Sequence, residues 1–354
     1  MRRALELARR GWGRVHPNPM VGAVVVQEDA VIGEGYHEEF GGPHAEVIAL
    51  RAAGDAARGA TLYVTLEPCA HHGKTPPCVD AIIAAGIARV VYAAPDPSPQ
   101  ARGGAQRLND AGIAVIADVE RDAARVLNAL FFHIHESGPP FVALKLAMSL
   151  DAGIAKAPGE RTSLTGPAAL SAMHGLRSGY DAILIGIGTA LSDDPLLTVR
   201  EAPVRTQPVR IVADTTARLP LDSRLVSTLD EAPVWVLCAE DAPGDRVAAL
   251  EAAGVRVLRL RRDGEHIDLK HALATLANEG VLTLFAEGGA GLAGSLLALD
   301  AVQRMYLFLA PLFLGPGAVP AFGIGRPEHD RWRCTSTDWH GSDVLVTMDL
   351  RVDD

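Results

Sequence analysis

His44-Ala45-Glu46, followed by Pro68-Cys69 and Cys78, sets one imidazole, one carboxylate and two thiols at spacings suited to zinc-dependent deamination of a nitrogen heterocycle. A catalytic zinc takes three protein ligands and leaves its fourth tetrahedral position to water. His44, Cys69 and Cys78 make such a set, which leaves Glu46 for proton transfer. Bound zinc lowers the pKa of its water from ~15.7 to about 7, producing a nucleophile that can attack a ring carbon bearing an exocyclic amine. Glu46 would take the water proton, protonate the ring nitrogen and then supply the departing amine. A His-x-Glu with Pro-Cys, the Glu not a ligand, is the signature of zinc deaminases.

Each fragment has a plainer explanation: His-x-Glu pairs are common, and intracellular cysteines are mostly buried thiols. Context separates the two. Gly41-Gly42-Pro43 prepares a turn before His44, and Pro76-Pro77 prepares a helix beginning at Cys78. Both residues are thus expected at helix N-termini, where the dipole favours thiolate. The gap between Cys69 and Cys78 exceeds the usual Cys-x-x-Cys, so Ala70 to Thr75 should project as a loop able to reach substrate.

The elements that must hold these residues alternate. Val21–Gln27 and Ala30–Gly35 read as strands about a Glu28-Asp29 turn, Ala45–Ala53 as a helix and Thr61–Leu66 as a buried strand. Val79–Ala85, Arg89–Ala94, Gly104–Ala111 and Ile113–Ala117 continue helix, strand, helix, strand, and a single helix is expected from Glu120 to His135. Ser137-Gly138-Pro139-Pro140 breaks the pattern, and an apolar strand, Phe141–Ala147, follows. With 354 residues, the chain exceeds one ordinary core, so two domains are expected, 1–137 and 138–354. The net charge of −10 and the lack of a basic tract disfavour nucleic acid, while leaving room for a small anionic substrate. No signal peptide or apolar span is apparent, which implies a cytoplasmic protein without membrane contact. Cys238 and Cys334 offer no disulfide framework and are expected in the core.

The N-terminal half resembles the deaminase domain of the bifunctional riboflavin-biosynthesis deaminase/reductase family. The shared runs are His16-Pro17-Asn18-Pro19, Gly33-Glu34-Gly35-Tyr36-His37, Pro43-His44-Ala45-Glu46, Thr65-Leu66-Glu67-Pro68-Cys69 and, most specifically, His71-His72-Gly73-Lys74-Thr75-Pro76-Pro77-Cys78. The resemblance implies a zinc cytidine-deaminase-like three-layer α/β domain acting on a diaminopyrimidinone ribosylamine 5′-phosphate. It also implies that Asn18 faces the pyrimidine, that His71 and Lys74 meet the ribose phosphate, and that Asp96 faces substrate. Ser98 replaces a frequent Asn.

From Phe141 the chain resembles the same family's reductase domain, with a dihydrofolate-reductase-like α/β fold that reduces the ring-opened ribose with NADPH. Glycine-rich turns follow the apolar runs Asp181–Ile185 and Val281–Ala286, where backbone amides can approach phosphate. The resemblance puts Lys145, Arg177, Leu196, Arg200 and Glu287 on substrate. It puts Ala147, Ser163, Thr189, Asp193, Thr215 and the run Gly289, Ala290, Gly291, Leu292, Ala293, Gly294, Ser295 on the cofactor. Lys145 lies in an apolar strand, where an ammonium is costly unless it opens into a polar pocket. A homodimer or tetramer is implied as well.

Departures from the family pattern cluster in the reductase half. Ala152-Gly153 follows Ser149-Leu150-Asp151 where Gly and a basic residue are usual, and Arg161 and Ser163 stand where the family has Ser and Trp. Three readings follow: a bifunctional deaminase and NADPH reductase; a monofunctional deaminase with a non-catalytic reductase-like domain; and a nucleic-acid base deaminase, which the acidic balance disfavours.

Overall fold

The computed structural model describes residues 1–73, 76–322 and 331–351. The chain divides into two compact units, Met1–Gly138 and Pro139–Asp354. In the first, α1 (Arg2–Ala8), β1 (Gly22–Gln27), β2 (Ala30–Tyr36), α2 (Ala45–Ala53), β3 (Thr61–Leu66), α3 (Cys78–Ala85), β4 (Arg89–Ala94), α4 (Gly104–Asp110), β5 (Ala114–Ile116), α5 (Arg121–Leu127) and α6 (Ala129–Glu136) follow in order. The sheet runs β2-β1-β3-β4-β5, antiparallel about β1 and parallel from β3 onward.

Alternation along the strands feeds two cores. Ala23, Val25, Leu62, Val64, Val90 and Tyr92 pack with α2 and α3 on one face. Val24, Tyr63 and Ala93 turn toward α1, α5 and α6 on the other. The result is three layers, as the resemblance implied. Glycine sets the closest approach: a Cβ at Gly35 would stand 2.6 Å from the Ala45 carbonyl oxygen and the Ala49 nitrogen, so α2 lies directly on β2.

The helix expected from Glu120 to His135 is instead two helices meeting at Asn128. The buried Asn128 carboxamide accepts from the Met20 N–H at 2.8 Å and donates to the Met20 carbonyl at 2.9 Å. That tertiary pairing holds the residue out of helical geometry, as Asn's competition for backbone partners allows.

In the second unit β6 (Phe141–Ser149), β7 (Gly153–Ala155), α7 (Pro167–Arg177), β8 (Ala182–Gly186), α8 (Ile187–Asp193), β9 (Val209–Ala213), α9 (Arg224–Ser227), β10 (Val234–Ala239), α10 (Gly244–Ala252), β11 (Arg256–Leu260), β12 (Arg262–Asp263) and β13 (His266–Ile267) come first. α11 (Leu269–Asn278), β14 (Thr283–Glu287), α12 (Ala290–Ala298), β15 (Arg304–Ala310), β16 (Val319–Pro320), β17 (Trp332–His340) and β18 (Asp343–Leu350) complete it. A nine-stranded sheet runs β11-β10-β9-β8-β14-β6-β15-β18-β17, and its first seven strands are parallel. The apolar runs of the inner strands β8, β14 and β6 are buried on both faces, as a helix-covered parallel sheet requires.

Two expectations need correction here. The glycine-rich run Gly289–Ser295 is mostly helix: Gly289 is the N-cap of α12, and the alanines and leucines after it propagate the helix. Cys238 is in the core, but Cys334 is exposed, because it sits on the edge strand β17 where only one neighbouring strand covers it.

Candidate active sites

His44 caps α2 and Cys78 opens α3, so two helix N-termini converge on Cys69 in the loop after β3. His44 Nδ1 lies 3.2 Å from Cys78 Sγ and 3.6 Å from Cys69 Sγ, and the three ligand atoms all fall within 4.8 Å of one another. Bond lengths of ~2.3 Å for Zn–S and ~2.1 Å for Zn–N in a tetrahedron put nitrogen and sulfur about 3.6 Å apart. The donor set therefore fits zinc.

The charges around this triangle follow from contact and burial. The Cys69 thiol is held down to about 4 by hydrogen bonds from the Cys78 thiol, the Cys78 N–H and His44, while Cys78 is driven up as the partner that keeps the proton. Glu46, in the first turn of α2, is 3 % exposed. Burial raises its pKa against the opposing field of His44, and its carboxyl shares a hydrogen bond with Cys78. A carboxyl whose proton affinity burial has raised is suited to taking up and handing on a proton.

His37, at the end of β2, is assigned no role by the sequence reading. Its Nδ1 bonds the Pro43 carbonyl at 3.1 Å, and its Nε2 meets Asn18 Nδ2 at 3.2 Å. Burial keeps the ring neutral, and its edge packs on the His44 ring with centroids 5.5 Å apart. With its amide nitrogen on His37, Asn18 retains its oxygen as an acceptor. Burial lifts the Asp96 carboxyl to about 6 although it accepts from the Ser98 N–H; Cys69 and His71 both act on its charge. The Ser98 hydroxyl donates to Gln100. His71 is exposed, and Lys74 lies outside the described residues. Glu67, also without a role in the sequence reading, accepts from the Ala105 N–H at 3.0 Å, anchoring the Cys69 loop to α4. The Leu-Glu-Pro-Cys run was the available signal for it.

In the second unit, Lys145 on β6 pairs in register with Glu287 on β14. Arg177, from the last turn of α7, grips Glu287 bidentately, Nη2 at 2.8 Å from Oε2 and Nε against Oε1. The pair is buried, and although burial opposes it, the Arg177 charge holds Glu287 below its ordinary value. Burial lowers Lys145, countered by Glu287 and Asp193. Arg200 reaches Thr198 Oγ1 at 3.0 Å and His174 Nε2 at 3.4 Å. Buried Arg210 donates to the carbonyls of Leu196 at 3.2 Å and Thr228 at 2.7 Å, pinning the segment that carries Leu196 and Arg200. The same cost of a cation in an apolar strand that marked Lys145 would have marked Arg210.

Thr189 lies on α8, and a Cβ at Gly289 would be 3.7 Å from its hydroxyl. Ala147 is half-buried on β6, Thr215 opens the turn after β9 two strands from β14, and Ser163 is exposed between β7 and α7.

Fold and sites together define a two-domain enzyme, a zinc-type deaminase followed by a reductase. Residues 1–94 match the cytidine and deoxycytidylate deaminase zinc-binding region, and residues 140–346 match the RibD C-terminal domain. The chain belongs to the RibD family of bifunctional deaminase/reductases of riboflavin biosynthesis. It is 43% identical over 349 residues to the riboflavin biosynthesis protein RibD of Aquifex aeolicus, covering 98% of this chain and 96% of the relative. Identity to the Escherichia coli protein of that name is 42% over 331 residues, 90% of this chain and 88% of the relative. Among solved structures, Acinetobacter baumannii RibD, form 1, gives a TM-score of 0.82 at 36% identity, covering 99% of this chain and 98% of that one. A Thermotoga maritima diaminohydroxyphosphoribosylaminopyrimidine deaminase/5-amino-6-(5-phosphoribosylamino)uracil reductase gives 0.82 at 35% identity, with 99% and 97% covered. Both halves are present, so the reading of a lone deaminase is not favoured. Among the described residues, no helix is long and apolar enough to cross a membrane.

Proposed function

We propose that the first unit hydrolyses the ring amine of 2,5-diamino-6-(5-phosphoribosylamino)pyrimidin-4(3H)-one, and that the second reduces the ribosyl group to give 5-amino-6-(5-phosphoribitylamino)uracil. The observation that carries the reading is the His44, Cys69 and Cys78 triangle beside a buried Glu46. Zinc bound by those three residues would supply a nucleophilic water at neutral pH. Glu46 takes one proton of the water and passes it to the ring nitrogen, then carries the second, from the hydroxyl added to the ring carbon, to the amine that leaves as ammonia. Asn18, steadied by His37, accepts from a ring N–H, Asp96 faces the substrate, and His71 and Lys74 meet the ribose phosphate.

Bound NADPH would supply the hydride that C1 of the opened ribose receives. Lys145 and Glu287 are the proposed contacts to the sugar. Arg177 is committed to Glu287, so the 5′-phosphate falls chiefly to Arg200, backed by Thr198 and the Leu196 segment. The first turn of α12, which opens the Gly289–Ser295 run, offers amides to the cofactor phosphates, with Thr189, Asp193, Thr215, Ala147 and Ser163 around it. Assembly as a homo-oligomer is part of this reading, and sedimentation or light scattering tests it.

The test is product mass after incubation of zinc-loaded protein with the diaminopyrimidinone ribotide, with and without NADPH. Loss of the amine in both tubes and a gain of two hydrogens only with NADPH is expected. Deaminated but unreduced product in both would leave a monofunctional deaminase, and unchanged substrate would end the substrate assignment.

A further inference from the structure

The run from Ala70 to Pro77 separates Cys69 from Cys78, so the two thiols stay within reach of one metal ion only if both ends of that run are held. At the ends themselves, the Cys78 N–H donates to Cys69 Sγ and the Val79 N–H to the Cys69 carbonyl, both at 3.3 Å. From outside, α4 reaches each end. Gly104 rests on the residue before Cys69: a Cβ there would stand 1.8 Å from the Pro68 carbonyl oxygen. The Ala105 N–H fixes Glu67 on the same side, and the Ala70 N–H donates to the Ala101 carbonyl at 3.4 Å. Arg107, in the last turn of α4, then spans the gap. Its Nη1 donates to the Ala70 carbonyl at 3.3 Å, beside Cys69, and its Nη2 to Asp80 Oδ1 at 2.5 Å, in the first turn of the helix that Cys78 opens.

We propose that Arg107 is a positioning residue for the metal centre: it bridges the Cys69 segment to the Cys78 helix, keeps the two thiols at the separation that zinc requires, and thereby sets how tightly zinc is held. The inference rests on the zinc reading of the first unit. His44, Cys69 and Cys78 supply the ligand atoms, and Arg107 acts through the backbone beside one cysteine and the helix that carries the other.

The guanidinium suits this task because its fork is planar and rigid: two nitrogens of one side chain meet partners on two segments, and fixing one direction fixes the other. The Arg107 and Asp80 side chains are 46% and 42% exposed, and an ion pair so exposed adds little to folding. Its weight falls on geometry instead, since donors already held at their spacing bind a metal without the cost of ordering them. Zinc affinity is therefore expected to respond to Arg107 more than the stability of the unit does.

The test is the zinc affinity of the full-length protein and its R107A, R107K and D80N variants, measured by competition with a chromophoric chelator, together with the visible ligand-field absorption of each after cobalt(II) substitution. R107A should hold zinc roughly 3- to 10-fold more weakly, less than the roughly 10- to 100-fold that follows loss of a direct partner of a ligand. Its cobalt band should weaken as the coordination departs from tetrahedral. R107K should recover part of the loss, because an ammonium meets either partner but lacks the fork that holds both. D80N should lose part of the affinity, and D80N combined with R107A should be no weaker than R107A alone. If R107A folds poorly, R107K and D80N carry the same comparison. A lower melting temperature with zinc affinity and cobalt spectrum unchanged would make the bridge a simple tie between α3 and α4, and no change in any of them would make it an idle surface contact; either result overturns the proposal. If wild type binds zinc and R107A binds it equally tightly, only this inference fails; if wild type binds none, the zinc reading fails with it.

Discussion

Glu46 and His37 both lie against the His44, Cys69 and Cys78 group, the first marked by its spacing and the second not. Glu46 is a hydrogen-bonded carboxyl whose pKa burial has raised, next to three metal-ligating side chains but outside their set. Glu46→Gln keeps size and hydrogen bonding while removing the proton carrier, so deamination should fall by roughly 10²- to 10⁴-fold with zinc content unchanged. Parallel measurement of ammonia release and metal content checks it, and zinc lost along with activity would make Glu46 a ligand. His37 instead hydrogen-bonds Asn18, and nothing in its spacing announced that, because Asn18, in the loop before β1, becomes its neighbour only when β1 and β2 pair.

At the scale of elements, position depends on how closely backbones may approach. Gly35 lets α2 rest on β2, and α2 delivers both His44 and Glu46. Gly35→Ala must displace that helix, at a cost of about 1–3 kcal/mol, so the melting temperature and zinc retention should fall together; a variant that loses neither would mean β2 can yield. Asp151 makes a comparable tie in the second unit, accepting from the Ser149 hydroxyl at 2.5 Å and from the Leu314 and Gly315 N–H groups at 3.1 and 2.8 Å. Led by the Ser149 hydrogen bond, these hold its carboxyl at about 2, below the ordinary 3.8. A carboxylate depressed in the folded state stabilises it fully above its unfolded pKa and loses that contribution as pH falls through the folded one. Protection of the Leu314 and Gly315 amides from hydrogen exchange should accordingly decline between about pH 4 and 2, and Asp151→Asn should remove that pH dependence; an identical acid response in the variant would exclude the tie. Much of this layer was legible, since proline and glycine punctuate the ends of α2 and α3 and apolar alternation marks β1 and β3. The break at Asn128 was not, because its partner Met20 is 108 residues away and a mid-helix Asn carries no local stop signal.

For the whole molecule, the question is whether two chemistries in one chain depend on one fold. Each unit has its own sheet and its own buried cluster, and the candidate zinc ligands all belong to the first. Binding of a structural ligand stabilises only the unit whose folded state holds it, so removing zinc should leave the second sheet intact. Cys78→Ala, or treatment with a chelator, should therefore abolish deamination while NADPH consumption on substrate that has already been deaminated stays within about twofold of wild type. Following both rates in the same preparation, with circular dichroism as the check on folding, separates the alternatives. If reduction falls in step with deamination, the zinc unit supports the fold of the entire chain; if reduction persists, the two sites are coupled only by the intermediate that leaves one and enters the other.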